Sequence, residues 1–256
     1  LLEAVSAALS SKRNFQLCVP ISIDGPEDIH NAIRHYPGGY QKAMDTLQSL
    51  IRISEKDSRL VPLTTTVIQK VNANVFVDFY KFLKSTIGDR ARFTFIRQDS
   101  RDAGGLDKSL LLDAGSKEDL LPPVNVCRRI LSEVCAFEKT RTPFSCVPFL
   151  DASFLGKHLE IVDRHMPVAS PCVAPDSFAT IYPDGQVSLC EVVKPFADLK
   201  SFNYDLIRCW NSPDAGLQRK KLSKCWCTYS CALANSIMRH PQALTECLQV
   251  VKQYLR

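Results

Sequence analysis

The chain has 256 residues, 45% hydrophobic content and a net charge of +5, enough for one large domain or for one medium and one small domain. The positive charge is slight and dispersed, which argues against a nucleic-acid binder; the densest basic run, Arg219-Lys220-Lys221, reads first as a solvated helix end. There is no basic start followed by an apolar core, and no run nears the roughly 20 apolar residues of a membrane span. The expectation is a soluble, cytoplasmic protein without nucleic-acid or membrane partners.

Residues 16–23, QLCVPISI, form a short apolar run ended by Asp24-Gly25-Pro26, which reads as a buried strand entering a turn. A helical pattern starts at Pro26 and Asp28. Pro37-Gly38-Gly39 separates it from a second helix, whose buried face is Met44, Leu47, Leu50 and Ile51. Residues 60–68 are β-rich. Residues 75–87 carry Val75, Phe76, Phe79, Phe82 and Leu83 on one helical face, and Gly88 ends the run. Residues 91–96 give a third strand.

Strands alternating with helices predict a parallel sheet with right-handed crossovers. Ligands bind such sheets at the carboxyl ends of the strands. The residues there are Ser22 and Asp24, Gln69 and Asn72, and Arg97 and Asp99.

A long polar connection over 98–122 follows, then two helical stretches over 124–137 and 149–165. Pro167 and Pro171 mark a boundary, which divides the chain into 1–166 and 167–256. Beyond it the character changes. Residues 177–182 and 186–190 flank Pro183-Asp184-Gly185, a strong hairpin signal. Short helices over 204–210 and 214–222 precede a cysteine-rich segment, and an amphipathic helix over 242–255 closes the chain.

Eleven cysteines, an odd number without a secretion signal, argue against a disulfide framework. Cys18, Cys127, Cys135, Cys146, Cys209 and Cys247 stand singly in apolar surroundings and read as small core residues. The other five, Cys172, Cys190, Cys225, Cys227 and Cys231, fall within sixty residues. Four thiolates suit tetrahedral zinc or an iron–sulfur cluster. Structural zinc favours paired C-x-x-C knuckles, which this chain lacks, so the spacing favours a cluster. The preferred ligands are Cys172, Cys190, Cys227 and Cys231. Cys225 replaces one of these or stands behind them.

The segment ISIDGPEDIHNAIR, residues 21–34, resembles the fourth strand and following helix of radical S-adenosylmethionine (radical SAM) enzymes. IYPDGQVSLCE, residues 181–191, resembles the hairpin of that family's auxiliary-cluster extension, called SPASM in its long form and twitch in its short form. DLIRCWNSP (205–213) and CWCTYSC (225–231) continue the resemblance in order. It spans most of the chain and is weakest over 98–165. It implies an α/β fold in which about three parallel βα units, equivalent to strands four to six of a (β/α) barrel, occupy 1–166. A small α+β twitch-like domain with a β-hairpin and one auxiliary [4Fe–4S] cluster then occupies 167–256.

In this family a first cluster reductively cleaves S-adenosylmethionine. The deoxyadenosyl radical then abstracts a hydrogen atom from the substrate, often a peptide or protein side chain that is oxidised. By analogy, Ser22 and Asp24 contact the adenosyl ligand, and Arg34 and Arg97 bind its carboxylate. Glu191 is the base that takes a proton from the substrate. Each has a plainer reading: turn and cap chemistry for Asp24, surface ion pairs for the arginines, an exposed hairpin end for Glu191. His30 reads as structural.

The family's Cys-x-x-x-Cys-x-x-Cys loop is absent from these residues. The expectation is therefore the C-terminal part of a longer catalyst, inactive alone. It would engage S-adenosylmethionine only if an N-terminal half barrel is supplied by preceding sequence or by a partner chain. The first strand is then an open sheet edge. The rival is a non-catalytic peptide-binding module bearing a cluster or zinc.

Overall fold

A computed structural model describes residues 1–11, 14–97, 108–110, 120–141, 147–167 and 172–255. The chain divides into two compact units, one of residues 1–96 and 120–143, the other of residues 97–119 and 144–256.

The first unit holds α1 (Leu2–Leu9), β1 (Leu17–Ser22), α2 (Glu27–Arg34), α3 (Gly39–Ser54), β2 (Leu60–Ile68), α4 (Phe76–Ile87), β3 (Ala91–Phe95) and α5 (Val124–Arg141). The three strands are parallel, in the order β1-β2-β3, as the strand–helix alternation predicts. Ser22 lies opposite Thr65, and Thr65 opposite Arg92.

Strict alternation of burial along β2 gives the sheet two unlike faces. Leu60, Thr64, Thr66 and Ile68 point into the core, where Leu47 and Leu50 of α3 are fully buried. Those two belong to the face read from helical spacing. Val5, Val19, Leu50 and Leu60 form one cluster, so α1 helps cover the sheet. On α4, Phe76 and Tyr80 each set their rings 5.3 Å from Phe93 of β3. The Tyr80 hydroxyl donates to Glu138 of α5 at 2.9 Å, and Lys84 Nζ stands 3.2 Å from the same carboxylate. A buried pair of this kind fixes one helix against another because misplacing it strands a charge.

The second unit holds α6 (Val147–Arg164), α7 (Ala174–Ser177), β4 (Thr180–Ile181), β5 (Gln186–Ser188), β6 (Ala197–Asp198), α8 (Leu206–Trp210), α9 (Pro213–Leu222), α10 (Ser230–Arg239) and α11 (Pro241–Leu255). The hairpin expected around Gly185 is present, with shorter strands than its apolar runs suggest. One helical turn, α7, takes residues 174–177, and the chain turns again where the Val193 N–H reaches the Cys190 carbonyl. β6 adds a third antiparallel strand. Ile161, Leu233, Ile237, Ala243 and Cys247 join α6, α10 and α11 in one core. The connection over 98–122 lies mostly outside the described residues. No described helix is long and apolar enough to cross a membrane.

Candidate metal centre and its neighbours

In the first unit the chain leaves β1 through Asp24-Gly25-Pro26 into α2. Asp24 is 1% exposed. Its Oδ1 accepts from the Val67 N–H at 3.1 Å and its Oδ2 from Arg34 Nε at 2.7 Å. Its own N–H donates to His30 Nδ1 at 3.1 Å, and Asn72 Nδ2 donates to its carbonyl at 2.7 Å. Both carboxylate oxygens are thus committed within the protein, to the β2 backbone and to α2. His30 is buried and accepts through Nδ1. Desolvation holds its pKa below the usual value, and the nearby Asp24 opposes that shift in part.

The first unit therefore brings Asp24 and Arg34 together as partners of one another. Ser22 is exposed at the end of β1. The bonds described for the Asp24 carboxylate are neither turn nor helix-cap bonds: they tie β1 to the β2 backbone and to α2. Asn72, at the end of β2, is likewise consumed, bridging to Val67 and Gln69.

In the second unit the hairpin turns because the Gly185 N–H donates to the Tyr182 carbonyl at 2.9 Å. Gly185 has φ +96°, and a Cβ there would stand 3.0 Å from Asp198 Oδ1 and 3.1 Å from Lys200 Cε. Only glycine meets both demands without strain. Past β5 the chain delivers Cys190 into an apolar cluster with Leu189, Val192, Val193, Leu222, Cys225 and Cys227, against which Cys172 packs. The Cys172 N–H donates to the Cys225 carbonyl at 3.3 Å, which pins the two segments together.

Four thiols thus gather from three stretches of chain. Burial pushes the thiol of Cys190 up to about 11 and that of Cys227 up to about 12. Burial also raises those of Cys172 and Cys225. Mutual repulsion adds to this: Cys172 and Cys190 each raise Cys225 and Cys227. Without a cation the group is held as neutral thiols. Cys231 stands apart, exposed in the first turn of α10. The structure thus places Cys225 among the thiols and Cys231 outside them.

A void of about 10 Å³ lies against Cys172 and Cys227, closed by Trp226, Leu233 and Ser236. Among the described residues no group of three or more His, Cys, Asp or Glu side chains is already spaced to hold a metal ion. The donor chemistry is that of a thiolate site; the spacing is that of a closed, protonated one.

Beside this cluster the Glu191 carboxylate forms an ion pair with Arg97 Nη1. Arg97 lies over the Tyr229 ring at 5.1 Å. Burial, then the hydrogen bond to Glu191 and the neighbouring Cys231, keep the Tyr229 hydroxyl protonated well above the usual range. Arg97 and Glu191, read separately from the sequence, are therefore partners. Tyr229 escaped the sequence reading. Its only signal is its place inside the cysteine segment.

The chain is similar in fold to solved structures of a radical SAM enzyme. Two solved structures of anSMEcpe, an anaerobic sulfatase-maturating radical SAM enzyme, carry the likeness, both with bound AdoMet. The polyhistidine-tagged form matches 99% of this chain and 71% of that chain, with a TM-score of 0.52 and 14% identity. The native form matches 93% and 67%, with a TM-score of 0.51 and 14% identity. A native form with AdoMet and the Cp18Cys peptide matches with a TM-score of 0.49 and 13% identity. No protein-family model matches the chain, and no curated protein matches its sequence.

Proposed function

We propose that this chain supplies the carboxyl-side part of a radical SAM barrel together with a twitch-like segment, residues 167–256, that binds one auxiliary [4Fe–4S] cluster. The assembled catalyst would oxidise a peptide or protein side chain. The observation that carries this reading is the convergence of Cys172, Cys190, Cys225 and Cys227 in one apolar cluster. A sulfatase-maturating enzyme of the same fold supports the choice of substrate class.

The residues fit a cluster by type and number: four thiols in an apolar setting, whose ionisation is disfavoured until a bound cation displaces their protons. When bound, a cluster there supplies a one-electron acceptor. The chain's own groups do the rest. The Glu191 carboxylate, paired with Arg97 and hydrogen-bonded to Tyr229, is held in place as the group that would take a proton. Ser22 offers a hydroxyl at the carboxyl end of β1 for a ribose or peptide contact. Asp24 and Arg34, engaged with each other, serve to position that end of the sheet. The chain lacks the Cys-x-x-x-Cys-x-x-Cys loop, so it has no means of cleaving S-adenosylmethionine by itself.

Anaerobic reconstitution with iron and sulfide, read by visible absorbance and iron content, tests the proposal. The expected result is about four irons per chain. Cys190→Ala and Cys225→Ala lose most of the iron, while Cys231→Ala keeps it. Stoichiometric zinc without iron would favour the interaction module and sink the cluster.

A further inference from the structure

We infer that the hairpin tip carries a binding site for a cationic peptide side chain, arginine or lysine. This deepens the peptide-modifying reading and rests on it. A cleft of about 440 Å³ opens there, lined by Tyr182, Pro183, Asp184, Gln186 and Pro195.

Pro183 stands in the turn closed by the Gly185-to-Tyr182 hydrogen bond, and Asp184 Oδ1 accepts from the Gln186 N–H at 3.0 Å. The half-buried Tyr182 directs its hydroxyl at the Glu191 carbonyl, 3.4 Å away. One tyrosine and two proline rings present apolar faces. Such faces suit the methylene stem of a long cationic side chain. An aromatic ring also attracts the cation itself.

Asp184 is the one charged residue among the described residues lining the cleft, and it is exposed. Only one of its oxygens caps the turn. An anionic ligand would meet this carboxylate and be repelled. A purely apolar ligand would leave the charge without a partner. A guanidinium or ammonium satisfies the charge and the rings together. Tyr182 also ties the cleft to Glu191, next to Cys190. A peptide anchored by its cationic residue is thereby held close to the proposed base.

The test is a titration of the full-length, isotope-labelled chain followed by NMR. The ligand is a blocked heptapeptide of glycine and serine with one central arginine. Matched peptides carry glutamate or norleucine instead. The arginine peptide is expected to shift the amides of Gly185 and Gln186, and the other two to leave them in place. Asp184→Asn keeps the cap acceptor and removes the charge, so it should weaken binding about fivefold, as an exposed pair warrants. Tyr182→Ala should weaken it comparably.

Equal binding of the norleucine peptide, equal binding by the Asp184→Asn chain, or shifts confined to other residues would each overturn the inference. Iron content, measured on the same sample of the parent chain, separates the two claims. If iron loads and the arginine peptide does not bind, the cleft proposal fails alone. If the peptide binds and iron never loads, the cluster reading fails.

Discussion

Asp24 illustrates how a single residue type supports two roles until its bonds are seen. A carboxylate at the carboxyl end of a strand suits a ligand, yet both of its oxygens are used internally, by Val67 and Arg34. Asp24→Ala would leave the Val67 N–H and the Arg34 guanidinium without their acceptor. An unsatisfied buried donor costs about 1–3 kcal/mol. Urea unfolding followed by far-UV ellipticity should therefore show Asp24→Ala destabilised by about 2 kcal/mol. Ser22→Ala, at an exposed position, should change stability by less than about 0.5 kcal/mol. An Asp24→Ala chain as stable as the parent would restore the ligand role. The cysteines teach the same lesson. Spacing identified five candidates and leaned toward Cys231 over Cys225. Which of the two faces inward depends on where α10 begins. Nothing in CWCTYSC marks that start, because Tyr229 at its cap makes no capping bond.

At the scale of elements, the strands and helices of the first unit were legible. β1, β2 and β3 are bounded by turn residues, and α3 and α4 carry full apolar faces. The elements that went unread are α1, α7, α10 and β6. α7 is a single turn, and β6 has two residues, too few to show alternation. One detail of β1 concerns its edge. Leu17 donates to the Arg59 carbonyl and Ile23 to that of Thr65. With a period of two, positions 18, 20 and 22 turn their backbone outward, along the side that pairs with no described strand. Position 20 is proline, which has no N–H to offer. Proline on an edge is a known guard against strand addition. Pro20→Val restores the missing donor between those of Cys18 and Ser22. Sedimentation velocity should then show concentration-dependent association that the parent chain lacks. An unchanged monomer would mean that α1 or other chain segments, and not Pro20, protect the edge.

For the molecule as a whole, sequence alternation was enough to find the parallel sheet, and the ordered segments around 21–34 and 181–191 carried the family resemblance. At 14% identity to the solved structures of similar fold, the likeness lies in the arrangement of elements more than in residues. The long connection over 98–122 stayed unreadable because polar, glycine-containing sequence carries no period. Two separate cores also mean that a ligand need not act on the whole chain. The two tryptophans, Trp210 and Trp226, both belong to the second unit, so their fluorescence reports that unit alone, while far-UV ellipticity reports both. A metal that binds only the folded thiol site stabilises its unit by mass action, by about 2.7 kcal/mol at a hundredfold excess over Kd. It must first displace protons from thiols whose burial resists ionisation. Loading should thus raise the thermal midpoint seen by tryptophan by several degrees. Part of the ellipticity change should stay at the metal-free temperature, and a chelator should bring the tryptophan midpoint back. If the tryptophan midpoint does not move, the thiols hold no metal. If both probes shift together by the same amount, the two cores unfold as one and the division into independent units fails.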